Sequence, residues 1–268
     1  MNKFKNNCKE IISLTLIFVA AALMIAADFV DIKFTGDKAF DDMLKDVILR
    51  LVTGGVFTAV IALIGARAML IPKLRLLPKQ LLWCLPCIFV VLANFPYSAL
   101  ISGAAQITRA DLVWLFVLKC FAVGLMEETL FRGLVQPTVA DFFKEKPHKN
   151  ILTVAITSAV FGLFHLLNLF AGANVGATLL QVGYSFLIGA MLSAVLLKTD
   201  NIWLCVILHA LFNVGGNLVT ETGSGRFQDT CFWILTAIAG VICFLYILDY
   251  LIKLDREKSD EKENADGE

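Results

Sequence analysis

Apolar residues run along nearly the whole chain in long windows that short polar breaks separate. Each window has about 17 to 25 residues, which is the length that an α-helix needs to cross the hydrocarbon layer of a membrane. Eight windows show this pattern: residues 11–27, 47–69, 81–102, 112–136, 151–170, 177–197, 202–219 and 230–252. The sequence therefore predicts an all-α, polytopic membrane protein with about eight transmembrane helices.

Composition supports a protein that is surrounded by the lipid bilayer. Hydrophobic residues occupy 58% of the 268 positions and charged residues only 17%, and both values lie far from the averages of soluble globular domains. The net charge is zero and the basic residues are spread over the breaks in small groups. No basic patch indicates a nucleic acid as a partner.

Lysines and arginines are concentrated in alternate breaks. They precede the first window and follow the second, fourth, sixth and eighth, whereas the break at residues 28–46 carries more aspartates than lysines. Because cytoplasmic loops are enriched in lysine and arginine, we expect both termini in the cytoplasm. Residues 1–253 are predicted to form a single membrane domain, and residues 254–268, which mix both signs of charge without apolar periodicity, a disordered tail.

Five ionisable side chains interrupt the apolar windows in a way that indicates a site. Glu127, Glu128 and Arg132 lie in the fourth window, and His165 and His209 in the fifth and seventh. A charged side chain at the centre of a bilayer costs about 2.5 kcal/mol or more, so such residues normally face a polar cavity and have a function. We therefore expect a buried site shared by three helices.

Helical spacing separates the roles of the two adjacent glutamates. Glu128 and Arg132 are four residues apart, where side chains on one helix face meet, and an ion pair is the cheapest way to carry both in a membrane. Neighbouring residues point about 100° apart, so Glu127 must face elsewhere and remains free for chemistry. Helical rise puts Glu127, His165, His209 and Asn213 about 10 to 21 Å from their predicted cytoplasmic ends, in one layer.

These residue types suit the activation of water. A carboxylate at low dielectric is a better general base near neutral pH than an exposed one, which favours Glu127, and His165 could hold the attacking water with it. His209 and Asn213 share a helix face at i and i+4 and can both donate hydrogen bonds to a developing oxyanion.

The motifs that carry these residues resemble a known family. GLMEETLFRG, FGLFH, SFLIG and NIWLCVILHALFN follow one another within residues 112–218, and their order is similar to that of the CAAX prenyl protease and bacteriocin-processing family of intramembrane proteases. The resemblance implies an endopeptidase in a bacterial cell membrane that cleaves a membrane-associated protein or secreted peptide, with a role in lipidated-protein processing, peptide maturation or bacteriocin immunity. It also implies that Glu127 and His165 activate water, that His209 and Asn213 stabilise the oxyanion, and that Glu128 with Arg132 supports the site.

The residues leave the cofactor and the class of function open. Glu127, His165 and His209 are suitable ligands for zinc or another divalent metal with an open fourth position, although they come from separate helices and lack the compact H-E-x-x-H spacing. An ion-coupled transporter or channel would also explain ionisable residues in membrane helices. A non-catalytic immunity or scaffold protein is a third interpretation.

Overall fold

The computed structural model describes residues 32–266 and, before them, the single residues 11, 15, 16, 18, 19 and 22; side chains are described up to residue 257. The first predicted window, residues 11–27, falls almost entirely outside the described residues. The predicted positions of the two chain ends lie outside them as well.

The described part is built from ten α-helices and one short pair of strands. In chain order these are α1 Lys38–Leu63, α2 Leu77–Trp83, α3 Leu85–Ala93, α4 Tyr97–Ser102, β1 Ala105–Ile107, α5 Val113–Leu130, α6 Gln136–Phe142, α7 Lys149–Phe164, α8 Val175–Thr199, α9 Ile202–Thr222, β2 Gly223–Gly225 and α10 Thr230–Asp266. Single 3-10 turns precede α2 and α5 and follow α1 and α7, and a π-helical turn, Phe131–Val135, joins α5 to α6. The all-α class is confirmed.

Six helical segments of the described residues are long and apolar enough to cross a membrane. They are Lys38–Leu63, Leu85–Ser102, Lys149–Leu169, Val175–Thr199, Ile202–Thr222 and Thr230–Glu257. The predicted count of about eight is therefore not confirmed. The fourth window is missing from the set because α5 carries three charged residues, Lys119, Glu127 and Glu128, and it packs between α1 and α9.

The second window begins earlier than the hydropathy predicts. We expected a polar break up to residue 46, but α1 begins at Lys38 because the carboxylate of Asp37 accepts hydrogen bonds from the backbone N–H groups of Ala39 and Phe40. Such a cap satisfies donors that the first helical turn leaves without partners. The helix ends at Leu63, just before Gly65, whose φ of +89° is a left-handed conformation that favours glycine.

The third window is broken twice. Pro86 lies in the first turn of α3, and Pro96 precedes α4. A proline has no backbone N–H and its ring displaces the carbonyl four residues earlier, so it is tolerated where a helix begins. The single helix predicted over residues 81–102 is for this reason divided into α2, α3 and α4.

The last helix continues beyond the predicted end of the membrane domain. Instead of giving way to a tail at residue 254, α10 extends to Asp266. Asp255 is buried, and its carboxylate accepts hydrogen bonds from the backbone N–H groups of Asn150 and Ile151 at the start of α7. This contact joins α10 to the start of α7, and the division of the chain at residue 254 stays a prediction.

The two strands close one end of the helix bundle. β1 pairs antiparallel with β2, with Gln106 opposite Ser224. Nearby, Arg109 forms ion pairs with Asp37 and Asp111, and its hydrogen bonds lower the pKa of both carboxyl groups. These contacts join the start of α1 to the segment that leads into α5, the helix that carries the two glutamates.

Candidate active site

Close helix packing brings the predicted residues together. A Cβ atom added to Gly124 on α5 would lie 2.9 Å from the carbonyl oxygen of Val206 on α9, and one added to Gly189 on α8 would lie 3.2 Å from Cβ of Ser158 on α7. Only a residue without a side chain permits such approaches between backbones. Helices α5, α7, α8 and α9 therefore meet around one small volume.

Glu128 is the centre of a fully buried polar network. Its Oε1 accepts a hydrogen bond from Nη1 of Arg132 at 3.1 Å and another from Nδ1 of His209 at 2.7 Å. Arg132 also donates to the backbone carbonyl of Gly189 at 3.1 Å, and its guanidinium lies 4.4 Å from the ring centre of Phe161. The predicted Glu128–Arg132 ion pair is present, and it extends to a histidine on another helix.

Arg132 lies where the helix widens. The π-helical turn Phe131–Val135 ends two residues before Pro137, which cannot donate a backbone hydrogen bond to the carbonyl of Gly133. Single π turns of this kind often occur at functional sites. Here the turn contains the arginine that neutralises Glu128.

Glu127 faces the cavity instead of this network. Its Oε2 is buried and has no hydrogen-bond partner among the described residues, and Nε2 of His209 lies 3.7 Å away, which is too long for a direct hydrogen bond. His209 is thus held between the two glutamates, with Nδ1 on Glu128 and Nε2 towards Glu127. Oε2 of Glu127 is therefore available to accept a proton.

His165 is fixed in one tautomer by its own helix. Its Nδ1 lies 3.0 Å from the backbone carbonyl of Phe161, and because a carbonyl can only accept, Nδ1 carries the proton. Nε2 of the neutral ring is then an acceptor, and the hydroxyl of Ser185 lies 3.5 Å from it at the outer limit of a hydrogen bond. The ring of Phe161 also packs edge-on against both His165 and His209, with centroid distances of 5.1 and 5.8 Å.

A polar cavity of about 230 Å³ connects these groups. Glu127, His165, His209 and Asn213 all line it, as the predicted common depth requires. Glu128 and Arg132 are completely buried behind its wall. Four of the six predicted residues therefore face the cavity, and the other two lie behind its wall and support them.

The described residues do not gather a three-ligand metal site. No group of three or more histidine, cysteine, aspartate or glutamate side chains between residues 32 and 257 is arranged to hold a metal ion. Glu127 and His209 approach each other, but the free nitrogen of His165 lies towards Ser185. Glu127, His165 and His209 are thus not gathered as three ligands in the described part of the chain, and metal binding by them stays a prediction.

Sequence reasoning missed several supporting contacts. Ser185 and the carbonyl of Gly189 both belong to the SFLIG motif, but the sequence did not predict a role for either residue. The contact between Glu128 and His209 was also missed. A count of buried charges could have found it, since two glutamates with one arginine leave a negative charge that a histidine can balance.

Comparison with known proteins agrees with the motifs. Residues 109–215 match the family profile described as Rce1-like, type II CAAX prenyl endopeptidase Rce1-like. This segment is therefore similar to the Rce1-like family. The resemblance predicted from the motifs is thus confirmed, and the Rce1-like domain covers all six predicted site residues. A comparison with curated proteins gave no match.

The Rce1-like domain supports a CAAX-type intramembrane protease in general terms, and the apolar helices support an integral membrane protein. The matched segment begins before α5 and ends within α9. Helices α1 to α4 and α10 lie outside it.

Proposed function

We propose that this protein is an intramembrane endopeptidase that hydrolyses a peptide bond with a water molecule activated by Glu127 and His165. The single observation that carries the proposal is the cavity in which a buried carboxylate oxygen without a hydrogen-bond partner in the described chain and a histidine with an oriented acceptor nitrogen lie beside two hydrogen-bond donors. A general base, a second water ligand and an oxyanion site are the three parts that such a hydrolysis needs.

The reaction follows from the positions of the donors and acceptors. Glu127 removes a proton from the water while the lone pair on Nε2 of His165 accepts its other hydrogen, and the water oxygen bonds to the carbonyl carbon of the substrate. The resulting oxyanion accepts hydrogen bonds from His209 and Asn213. The carbon–nitrogen bond then breaks as the leaving nitrogen takes the proton from Glu127, which gives a carboxylic acid and an amine.

Charge balance favours His209 as the oxyanion donor. Since Nδ1 donates to Glu128, Nε2 can donate only when the ring carries both protons. The buried charges of Glu127, Glu128, Arg132 and protonated His209 then sum to zero, which is the arrangement that costs least at low dielectric. Glu128 and Arg132 therefore act as positioning residues that hold His209 charged and aimed at the cavity.

The proposal is tested by exposing the purified protein in detergent micelles to a defined mixture of synthetic peptides, farnesylated and unmodified, and following the fragments by mass spectrometry. We expect fragment pairs whose masses sum to the parent plus one water, and their loss in His165→Ala. Parallel reactions with a chelator and with added zinc test the metal-dependent alternative, in which zinc restores chelated activity. If His165→Ala gives wild-type fragments at wild-type rates, the proposed water-activating role is wrong.

A transporter or channel receives less support from the same site. Such proteins are commonly built from paired repeat halves with broken helices at the binding site. The broken helices α3 and α4 lie outside the Rce1-like domain, and the described residues that line the cavity come from α1, α5, α7, α8 and α9 together with the turn that follows α7.

A further inference from the structure

Two amide side chains line the cavity beside His165 and Ser185. Asn168 lies in the 3-10 turn His165–Leu169 that follows α7, and Gln181 lies on α8. Nδ2 of Asn168 donates a hydrogen bond to Oε1 of Gln181 at 2.9 Å. Both residues are half-buried and belong to the cavity wall. We call Asn168 and Gln181 the amide pair.

The contact between these side chains is not what closes the turn after α7. The backbone carbonyl of Asn168 accepts hydrogen bonds from the backbone N–H groups of Ala171 and Ala173, at 3.2 and 3.1 Å. These backbone bonds already hold the segment that leads into α8. The amide pair is therefore available at the cavity wall for a further task.

The amide pair keeps one donor group and one acceptor group that its own contact does not use. Each side-chain amide has an NH2 group and a carbonyl oxygen, and the contact uses one N–H and one oxygen. Gln181 keeps its NH2 group and Asn168 keeps Oδ1, and neither group makes another hydrogen bond among residues 32–257. Rotation of both amides leaves the same result with the two residues exchanged. A donor beside an acceptor is the complement of the N–H and C=O of a peptide main chain.

Helical geometry places the amide pair about 6 Å from the contact between His165 and Ser185. His165 and Asn168 are three residues apart in a 3-10 turn, where such side chains eclipse one another and the rise is about 2.0 Å per residue. Gln181 and Ser185 are four residues apart on α8, where they share a face and the rise is about 1.5 Å per residue. Both elements therefore give the same spacing between the two cross-contacts.

An extended peptide repeats its main-chain groups at almost the same distance. It advances about 3.3 Å per residue, and the N–H and C=O of one residue point to one side while those of the next residue point to the other. Groups on the same side are therefore about 6.6 Å apart. A peptide whose cut bond lies at His165 thus presents the N–H and C=O of the residue two positions away to the amide pair.

We propose that Asn168 and Gln181 bind the main chain of the substrate at the residue two positions from the bond that is cut. Oδ1 of Asn168 accepts the N–H of that residue, and the NH2 group of Gln181 donates to its carbonyl. This inference rests on the proposed peptidase function and adds a second contact in the same cavity. Because the contact uses main-chain atoms, it selects extended peptides, and a helical segment must first unwind to release its own N–H and C=O groups.

The test replaces single main-chain N–H groups of a peptide by oxygen. The parent is the synthetic peptide that binds most tightly to Glu127→Gln, which is expected to bind peptides without cutting them, and the cut bond is located with the wild-type protein by mass spectrometry. Each peptide bond in turn becomes an ester, which keeps the shape of the chain but cannot donate a hydrogen bond. Dissociation constants for the whole set are measured on Glu127→Gln.

We expect one ester to weaken binding more than the others, at the N–H of the residue two positions from the cut. One hydrogen bond between neutral groups corresponds to about 2- to 12-fold in affinity, and the loss should be of that size. With the wild-type protein the same ester should raise KM and leave kcat unchanged, because the contact is made equally in the bound substrate and in the transition state.

Variants locate the effect at the amide pair. Asn168→Leu with Gln181→Met keeps the approximate shape of both side chains and removes their hydrogen bonds, so in this double variant the loss caused by the ester should fall to about one-fold. Gln106→Met is the matched control, because Gln106 is an exposed amide on β1 and lies outside the cavity. In the control the loss should stay as it is without the substitution.

Each outcome separates this inference from the proposed function. Glu127-dependent cleavage with equal losses at every ester, or with the largest loss at another position, overturns the amide pair and leaves the peptidase intact. One sensitive position that is lost in the double variant, without any cleavage by the wild-type protein, supports a main-chain site and overturns the peptidase. A sensitive position that persists in the folded double variant overturns the role of Asn168 and Gln181. The ester series on Glu127→Gln alone decides the case if the double variant does not fold.

Discussion

Removal of the Arg132 charge is the perturbation whose effect the structure defines best. Arg132 and Glu128 have no exposed side-chain surface, their ion pair is 3.1 Å long, and Arg132 also holds the carbonyl of Gly189 and the ring of Phe161. Arg132→Gln leaves Glu128 buried with a charge that His209 alone must balance. Breaking a buried pair by removing one partner costs about 3 to 5 kcal/mol of folding free energy.

The double variant Glu128→Gln/Arg132→Gln distinguishes an ion pair from two independent contacts, because only an ion pair makes the two losses of folding free energy non-additive. Glu128→Gln should cost less than Arg132→Gln, because the glutamine oxygen can still accept hydrogen bonds from His209 and Arg132 while only the charge is lost. In the double variant neither charge is left without its partner, so part of the loss should return, with a coupling free energy of about 1 to 3 kcal/mol.

The assay is the free energy of unfolding of the purified protein in detergent micelles, measured by titration with a denaturing detergent. The control is a second double-mutant cycle on Asp249 and Lys253, which also pair at i and i+4 but lie exposed on α10. Exposed pairs of this spacing couple by about 0.3 to 0.5 kcal/mol. Equal coupling in the two cycles, or additive effects of Glu128→Gln and Arg132→Gln, would refute the reasoning.

Three further predictions concern the oxyanion site, the helix packing and the topology. Asn213→Ala should lower kcat by about 10² to 10³ and leave residual cleavage, because one of two donors remains; complete loss with retained fold would show another role. Gly124→Ala should lower the free energy of unfolding by about 1 to 3 kcal/mol, since the added methyl would lie 2.9 Å from the carbonyl of Val206, and an unchanged unfolding curve would contradict this. Reporter fusions after Gly36 and after Lys146 should report opposite sides of the membrane, and the same side for both would show that the predicted topology is wrong.

Hydropathy predicted the long helices well where apolar residues are uninterrupted. Helix α9 begins at Ile202, which is the first residue of the seventh predicted window. Helix α8 is two residues longer at each end than the sixth predicted window. Helix ends that are set by a capping side chain or by a proline were predicted less accurately. The Asp37 cap and the breaks at Pro86 and Pro96 alter local hydrogen bonding without changing average hydropathy.

Local spacing predicted the contacts within one helix, and contacts between helices needed the structure. The pair Glu128–Arg132 follows from the helical repeat alone. The hydrogen bond from His209 to Glu128 joins residues far apart in sequence, and only the packing of α5 against α9 brings them together. For the same reason the sequence could not show that Lys119 on α5 pairs with Asp46 on α1 and Glu221 on α9.

The catalytic roles of the six site residues stay predictions, and Glu127 is the residue on which all of them depend. The direct measurement is the rate of peptide cleavage by wild type, Glu127→Gln and Glu145→Gln in the same detergent micelles, with equal folded protein verified by unfolding. Glu145 is an exposed glutamate in the turn after α6 and serves as the control. Because an amide keeps the shape of the carboxylate but cannot take a proton from water, we predict no cleavage by Glu127→Gln and a wild-type rate for Glu145→Gln. A near-normal rate for folded Glu127→Gln would contradict the account.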